Sequence, residues 1–147
     1  MSFRYRTGTL WVVDTSVLVS GVLSPGGPPA RILDRMLSAE LHYALSLALL
    51  AEYRTVLLRP KLLARHGLSV GEVDQLLEAL ILPAVIVDPV PPAALSAPDP
   101  GDQHLWDLLC CRDDLTLLTG DRLLLAQAPE TLSLMPPADW AARYLPD

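Results

Sequence analysis

The chain of 147 residues contains no asparagine, a single lysine (Lys61) beside ten arginines, and only two cysteines, Cys110 and Cys111, which stand side by side. Adjacent cysteines cannot staple a small secreted domain, form a Cys-x-x-Cys redox pair or give two ligands to an ordinary zinc site. They are read instead as small core residues on a helix. Glycine is scarce and shows no period, which excludes a collagen-like chain. Long apolar runs are missing as well: Leu41–Ala51 meets Glu52 well short of the roughly 18 residues a membrane-spanning helix needs. Arg4 and Arg6 precede an apolar stretch, Leu10–Val13, that is too short for the core of a signal peptide and runs into Asp14. A cytoplasmic protein is expected.

What is present is a chain 51% hydrophobic and 19% charged, which excludes disorder. At this size one domain, residues 1–147, buries about 70% of its unfolded surface. A formal net charge of −6 argues against coating nucleic acid by bulk electrostatics. The distribution is uneven, however: residues 1–66 hold eight Lys or Arg against four acids, and residues 67–147 hold three against thirteen. A bound polyanion would meet the first half, where Arg54, Arg59, Lys61, Arg65 and His66 form the densest basic stretch; that stretch also reads as a solvated helix face. A mean hydropathy of +0.34 implies an apolar helix face covered by another chain. A homodimer is therefore expected, through the helix Glu72–Leu82 or the terminal helix Ala138–Tyr144.

Thr9–Val13, apolar and partly β-branched, has the pattern of a strand buried on both faces and is placed at the centre of a sheet. After the break at Ser24-Pro-Gly-Gly-Pro-Pro29, Ile32, Leu33, Met36 and Leu37 recur at helical spacing through Glu40. His42–Leu45 reads as a second strand. Ser46 caps a helix with the stripe Leu49, Leu50, Tyr53, Val56 and Leu57, ending at Arg59-Pro60. Ser69 and Glu72 form a capping box ahead of Val73, Leu76, Leu77 and Leu80, in a helix that runs up to Pro83. Ala84–Val87 is a third strand, and the proline-rich segment Asp88–Gly101 is a surface loop carrying the chain across the fold. A helix over 102–112 precedes a fourth strand, Leu115–Leu118; Arg122–Gln127, Leu132–Leu134 and Ala138–Tyr144 then read as helix, short strand and helix. This alternation implies right-handed crossovers and a three-layer α/β/α sandwich around a central parallel sheet of four to five strands.

Ligands of such a sheet sit outside the carboxyl ends of its strands, so acids at those ends carry the first functional expectation. Asp14 follows Trp11-Val-Val, and Asp121 follows Leu117-Leu118-Thr119-Gly120, where glycine permits a tight exit. Each alone also fits a helix N-cap. Asp102 falls in line with Leu105, Trp106 and Leu109 on a helical wheel and so points inward, whereas His104 and Asp107 fall on the far side and are assigned to solvent. Asp99 fits an N-cap with Pro100 at the first helical position, which leaves Asp102 at the inner edge of the sheet opening. Glu52, the only acid in its helix, flanks the apolar stripe; a solvated glutamate is the alternative reading. Brought together, such groups repel: two unit charges about 4 Å apart at an effective dielectric of about 20 cost about 4 kcal/mol. A positive partner is needed, and an all-oxygen set without clustered His or Cys suits Mg²⁺ or Mn²⁺.

Four segments, Val12-Val-Asp-Thr-Ser-Val-Leu-Val-Ser20, Leu50-Ala-Glu-Tyr-Arg54 with Arg59-Pro-Lys61, Asp99-Pro-Gly-Asp102 and Leu118-Thr-Gly-Asp121, resemble in order and spacing the PIN-domain ribonucleases. The closest subgroup is that of the toxin components of toxin–antitoxin pairs, similar to VapC toxins. The resemblance implies that Asp14, Glu52, Asp102 and Asp121 are the catalytic, metal-holding acids, with Ser16 and Thr119 as hydroxyl neighbours; the departure from the family pattern after Asp102 leaves Asp99 open as a further ligand through water. It also implies metal-dependent hydrolysis of RNA phosphodiester bonds to 5′-phosphate and 3′-hydroxyl ends, and a small antitoxin protein as partner. Arg54, Arg59 and Lys61 are the residues expected to grip the RNA backbone. The chain departs from the subgroup at three points: Ser16 stands where Asn is common, Gln103 and Leu105 follow Asp102 where an acidic or polar residue and an aromatic are usual, and Leu123 replaces a second acid after Asp121.

Two other readings compete with this one. A strand ending in Asp-Thr-Ser resembles phosphatases of the haloacid dehalogenase type, but these need an acid at the position of Ser16 and a lysine later in the chain than Lys61. The other is a PIN-like module that binds RNA or protein and has lost catalysis; retention of all four acids speaks against it.

Overall fold

The computed structural model of the protein describes residues 9–90 and 92–145; Arg4 and Arg6, on which the reading of the N-terminus rests, lie outside them. Five parallel strands form the sheet: β1 (Leu10–Val13), β2 (Ala44–Leu45), β3 (Val85–Ile86), β4 (Leu115–Leu118) and β5 (Ser133–Met135). They pair as β1-β4-β5 and β2-β3. A parallel bridge between Trp11 and Tyr43, with the Trp11 N–H donating to the His42 carbonyl at 3.0 Å, joins the two sets in the order β3-β2-β1-β4-β5. β1 is central as its unbroken apolar run requires, with Val12, Val13, Leu117 and Leu118 almost wholly buried. The architecture is α/β/α.

The chain moves outward from β1 to β2 and β3, then returns across the sheet to lay β4 on the other side of β1. The strand order therefore reverses between β1 and β4. A crevice opens at the carboxyl ends of strands at such a point.

Eight helices surround the sheet among the described residues: α1 (Thr15–Leu23), α2 (Pro28–Leu37), α3 (Leu47–Leu57), α4 (Pro60–His66), α5 (Val70–Ile81), α6 (Gln103–Cys110), α7 (Arg122–Gln127) and α8 (Pro137–Tyr144), with a 3₁₀ turn, Pro100–Asp102, before α6. α1 packs on α2 and α3, α3 on α5 and α6, and α2 on α8. The Ser46 cap and the Ser69–Glu72 capping box form as their spacing predicts. None of these helices is long and apolar enough to cross a membrane.

Several expectations need correction. Pro60 does not merely end a helix: it opens α4 from the N1 position, where its missing N–H costs nothing. α1 escapes the helical periodicity because it is apolar nearly all round, with Thr15, Val17, Leu18, Val19 and Gly21 buried. α2 stops at Leu37 rather than Glu40, since Ala39 takes a left-handed backbone with φ of 62°. Cys110 and Cys111 are exposed, not core, because α6 ends there and its buried stripe is already filled by Leu105, Trp106, Leu108 and Leu109.

Gly21 marks the closest helix contact. A Cβ built there would lie 2.8 Å from the Pro29 carbonyl oxygen, so only glycine lets α1 and α2 approach this closely.

Candidate active site

Asp14 leaves the carboxyl end of β1, and Thr119-Gly120-Asp121 leaves that of β4. Because β1 and β4 are neighbours in register, Val13 opposite Leu118, the two exits are side by side. Asp14 is 6% exposed and Thr119 fully buried. The Thr119 hydroxyl donates to Asp14 Oδ2 at 2.6 Å and accepts from the Asp121 N–H at 3.0 Å. Ser16 reaches the same Oδ2 only at 3.5 Å, a long contact for a hydroxyl donor. Asp121 Oδ1 accepts from the Leu123 and Leu124 N–H groups at 2.9 and 3.3 Å, so this acid does cap α7. Asp14 begins α1 without such a side-chain bond; its carboxylate is left for the cleft.

Asp102 arrives from the 3₁₀ turn, set up as the Asp99-Pro100 pattern predicts: Asp99 Oδ1 accepts from the Gly101 N–H at 2.9 Å. Asp14, Asp102 and Asp121 line one cleft of about 470 Å³, together with Ser16, Val17, Ser20, Pro29, Gly120 and Pro137. Asp99 is exposed and does not line it.

Burial pushes the Asp102 carboxyl up from 3.8 to about 6, helped by the nearby charges of Asp14, Asp99, Asp121 and Glu52. Burial also raises that of Asp14, against the lowering effect of the Thr119 bond, and Glu52 and Asp121 push it further up. Asp14 and Asp102 thus both feel the charges of Glu52 and Asp121.

Glu52, on α3, is held at both oxygens: the Thr15 hydroxyl donates to Oε1, and His104 Nε2 lies 3.3 Å from Oε2. It is not part of the cleft wall. His104 is therefore not turned to solvent as the helical wheel predicts; its ring packs beside Glu52, with Nδ1 buried and unpartnered. Asp107 is corrected as well, since its Oδ1 accepts from the Ala93 N–H and from Gln103 Nε2. The sequence gives no signal for Thr15 and His104 as partners of Glu52, because they come from α1 and α6 and meet only in the fold. One buried group supports the floor: Tyr53, next to Glu52, donates to the Val13 carbonyl just before Asp14.

Among the described residues no three His, Cys, Asp or Glu side chains stand close enough to clasp one ion. The acids stand apart around an open basin. The donor set still fits a hard divalent ion: every polar side chain on the cleft is a carboxylate or a hydroxyl, and a cation would relieve the cost that holds Asp102 at about 6.

The basic residues lie elsewhere. Arg54 is engaged by Asp74 of α5 through bonds of 2.8 and 3.3 Å. Arg59, Lys61 and Arg65 surround a separate groove with Pro60 and Leu62. His66 ties α4 back to α3, with Nε2 at 2.9 Å from the Leu57 carbonyl and Nδ1 accepting from the Leu68 N–H at 3.0 Å.

A parallel α/β sheet with aspartates gathered at its strand-order reversal carries them where the ligands of such sheets bind. Residues 11–123 match the family model described as PIN domain, and the chain belongs to the PIN-domain family. Members of this family are generally nucleases. A search of curated proteins finds no match.

Proposed function

We propose that the chain is a single PIN-like domain, residues 1–147, that hydrolyses RNA phosphodiester bonds with Mg²⁺ or Mn²⁺ held by Asp14, Asp102 and Asp121, with Glu52 adding negative charge from behind the cleft wall. The observation that carries this reading is the meeting of Asp14, Asp102 and Asp121, from three distant parts of the chain, on one cleft. When bound, the cation supplies the positive charge that polarises the phosphate and the attacking water. Asp14, fixed by Thr119, and Asp121, fixed by its cap bonds, present oriented oxygens. Asp102, with its carboxyl at about 6 in the metal-free protein, gives up its proton as it takes up the cation. Glu52 stands behind them, oriented by Thr15 and His104, and Asp99 contributes through water. Arg59 and Lys61 grip the RNA backbone, with Arg54 joining once it leaves Asp74.

The toxin of a toxin–antitoxin pair, similar to VapC, is the finer form of this reading, with an antitoxin protein as partner, a homodimer as the assembly and the cytoplasm as its place. It rests on the resemblance of the four acidic segments. The test is cleavage of a panel of structured RNAs with Mn²⁺ by wild type, Asp14→Asn and Asp121→Asn. Loss of cleavage in both variants is expected; unchanged cleavage in both would sink the reading.

A second reading, a PIN-like module without catalysis, draws on the engagement of both Glu52 oxygens and on the open spacing of the acids. An intact site gains about RT ln(1 + [L]/Kd) in stability from Mn²⁺. A module of this kind shows no rise in melting temperature.

A further inference from the structure

The proline-rich segment from Asp88 to Asp99 brings the chain back from β3 to the turn that holds Asp102. It has almost no means of holding itself in place. Prolines 89, 91, 92 and 98 have no N–H to donate. Among the described residues, no backbone-to-backbone hydrogen bond involves positions 88–98. Buried or half-buried backbone groups must be satisfied somehow.

Two side chains of α6 satisfy them. Gln103 Oε1 accepts from the Ala97 N–H at 2.8 Å, and Gln103 Nε2 donates to the Leu95 carbonyl at 2.9 Å. Asp107 Oδ1 accepts from the Ala93 N–H at 3.0 Å and from Gln103 Nε2 at 3.1 Å. Positions 103 and 107 are one helical turn apart, so they share a face of α6. Gln103 is also the residue directly after Asp102.

We propose that Gln103 and Asp107 are positioning residues that clamp the proline-rich strap to α6 and thereby fix Asp102 at the cleft. They touch no reacting atom. Three bonds to the strap, linked by the Gln103–Asp107 bond, replace the ladder that a strand would have. With the strap fixed on one side and α6 on the other, the 3₁₀ turn Pro100–Asp102 has little freedom. The inference rests on the reading of Asp102 as a metal-holding acid.

The experiment measures Mn²⁺ binding by thermal shift and calorimetry in wild type, Gln103→Met, Asp107→Ala and Asp107→Asn, beside amide hydrogen exchange at Ala93 and Ala97 in the unaltered protein. Gln103→Met and Asp107→Ala are expected to weaken Mn²⁺ binding about tenfold, the low end for groups that orient metal ligands. Asp107→Asn keeps an acceptor oxygen and is expected to restore binding to within about threefold of wild type. A purely structural role would lower the metal-free melting temperature and leave the Mn²⁺ midpoint unmoved, and that result overturns the proposal. Slow exchange at Ala93 and Ala97 is expected, and free exchange there overturns it without any variant. Wild type that fails to bind Mn²⁺ overturns the metal reading and the clamp's function together; wild type that binds beside variants that bind equally well overturns the clamp alone.

Discussion

The Thr119 hydroxyl donates to Asp14 across 105 residues of sequence, and the same oxygen accepts from the Asp121 N–H. One buried side chain thereby sets the spacing of two acids that would otherwise repel. Thr119→Val keeps the shape and removes both bonds, stranding a buried carboxylate oxygen and a backbone donor. The expected loss is about 1–3 kcal/mol of stability, read from urea denaturation in EDTA, with Thr119→Ser close to wild type. Equal stability of the valine variant would show that the bond does not hold the pair.

Asp102 governs the pH dependence of the metal-free protein. Its folded carboxyl is held at about 6 against 3.8, so the folded state binds this proton more tightly than the unfolded chain. The resulting stabilisation is complete below about pH 4 and is lost as pH rises through about 6. Asp14, also raised by burial, acts in the same direction. The melting temperature in EDTA should fall across this window, and Asp102→Asn should flatten the fall. With Mn²⁺ the ion-induced rise should grow over the same range, because binding requires the deprotonated acids. A metal-free profile identical in wild type and variant would refute the assignment.

Gly21→Ala tests the wall of the cleft. The added methyl would meet the Pro29 carbonyl, a backbone atom that cannot turn aside, and Pro29 itself lines the cleft. A loss of about 1–3 kcal/mol is expected, as for other overpacked contacts, together with weaker Mn²⁺ binding. Calorimetric unfolding and metal titration check the two effects separately.

The basic residues should divide by their present partners. Lys61→Ala and Arg59→Ala are each expected to lower the slope of log affinity for single-stranded RNA against log salt by about 0.7, measured by fluorescence anisotropy. Arg54 must first leave Asp74, so Arg54→Ala should change the slope less. The pair itself is exposed to solvent and adds little to stability.

The central place of β1 and the two strand-end acids can be read from the sequence because each depends on local pattern: an unbroken apolar run for β1, a Thr-Gly-Asp exit for β4. The Asp99-Pro100 turn was legible for the same reason. What stayed hidden depends on meetings between distant segments. The wheel for α6 sent His104 and Asp107 to solvent, since it could not know that α3 brings Glu52 alongside one and the strap lies over the other. Glu52, expected among the metal-holding acids, adds its charge at Asp102, but Thr15 and His104 engage both its oxygens and it does not line the cleft. α1 escapes periodicity because its polar face is only Ser16 and Ser20, one turn apart, in a helix otherwise apolar.

The exposed Cys110 and Cys111 close the helix whose other end adjoins Asp102. Eight residues of helix span about 12 Å, so a nitroxide attached to either native thiol would sit within magnetic reach of a paramagnetic Mn²⁺ in the cleft. The molecule carries its own attachment point for a spectroscopic ruler, and ion occupancy can be followed by spin relaxation without engineering a label site.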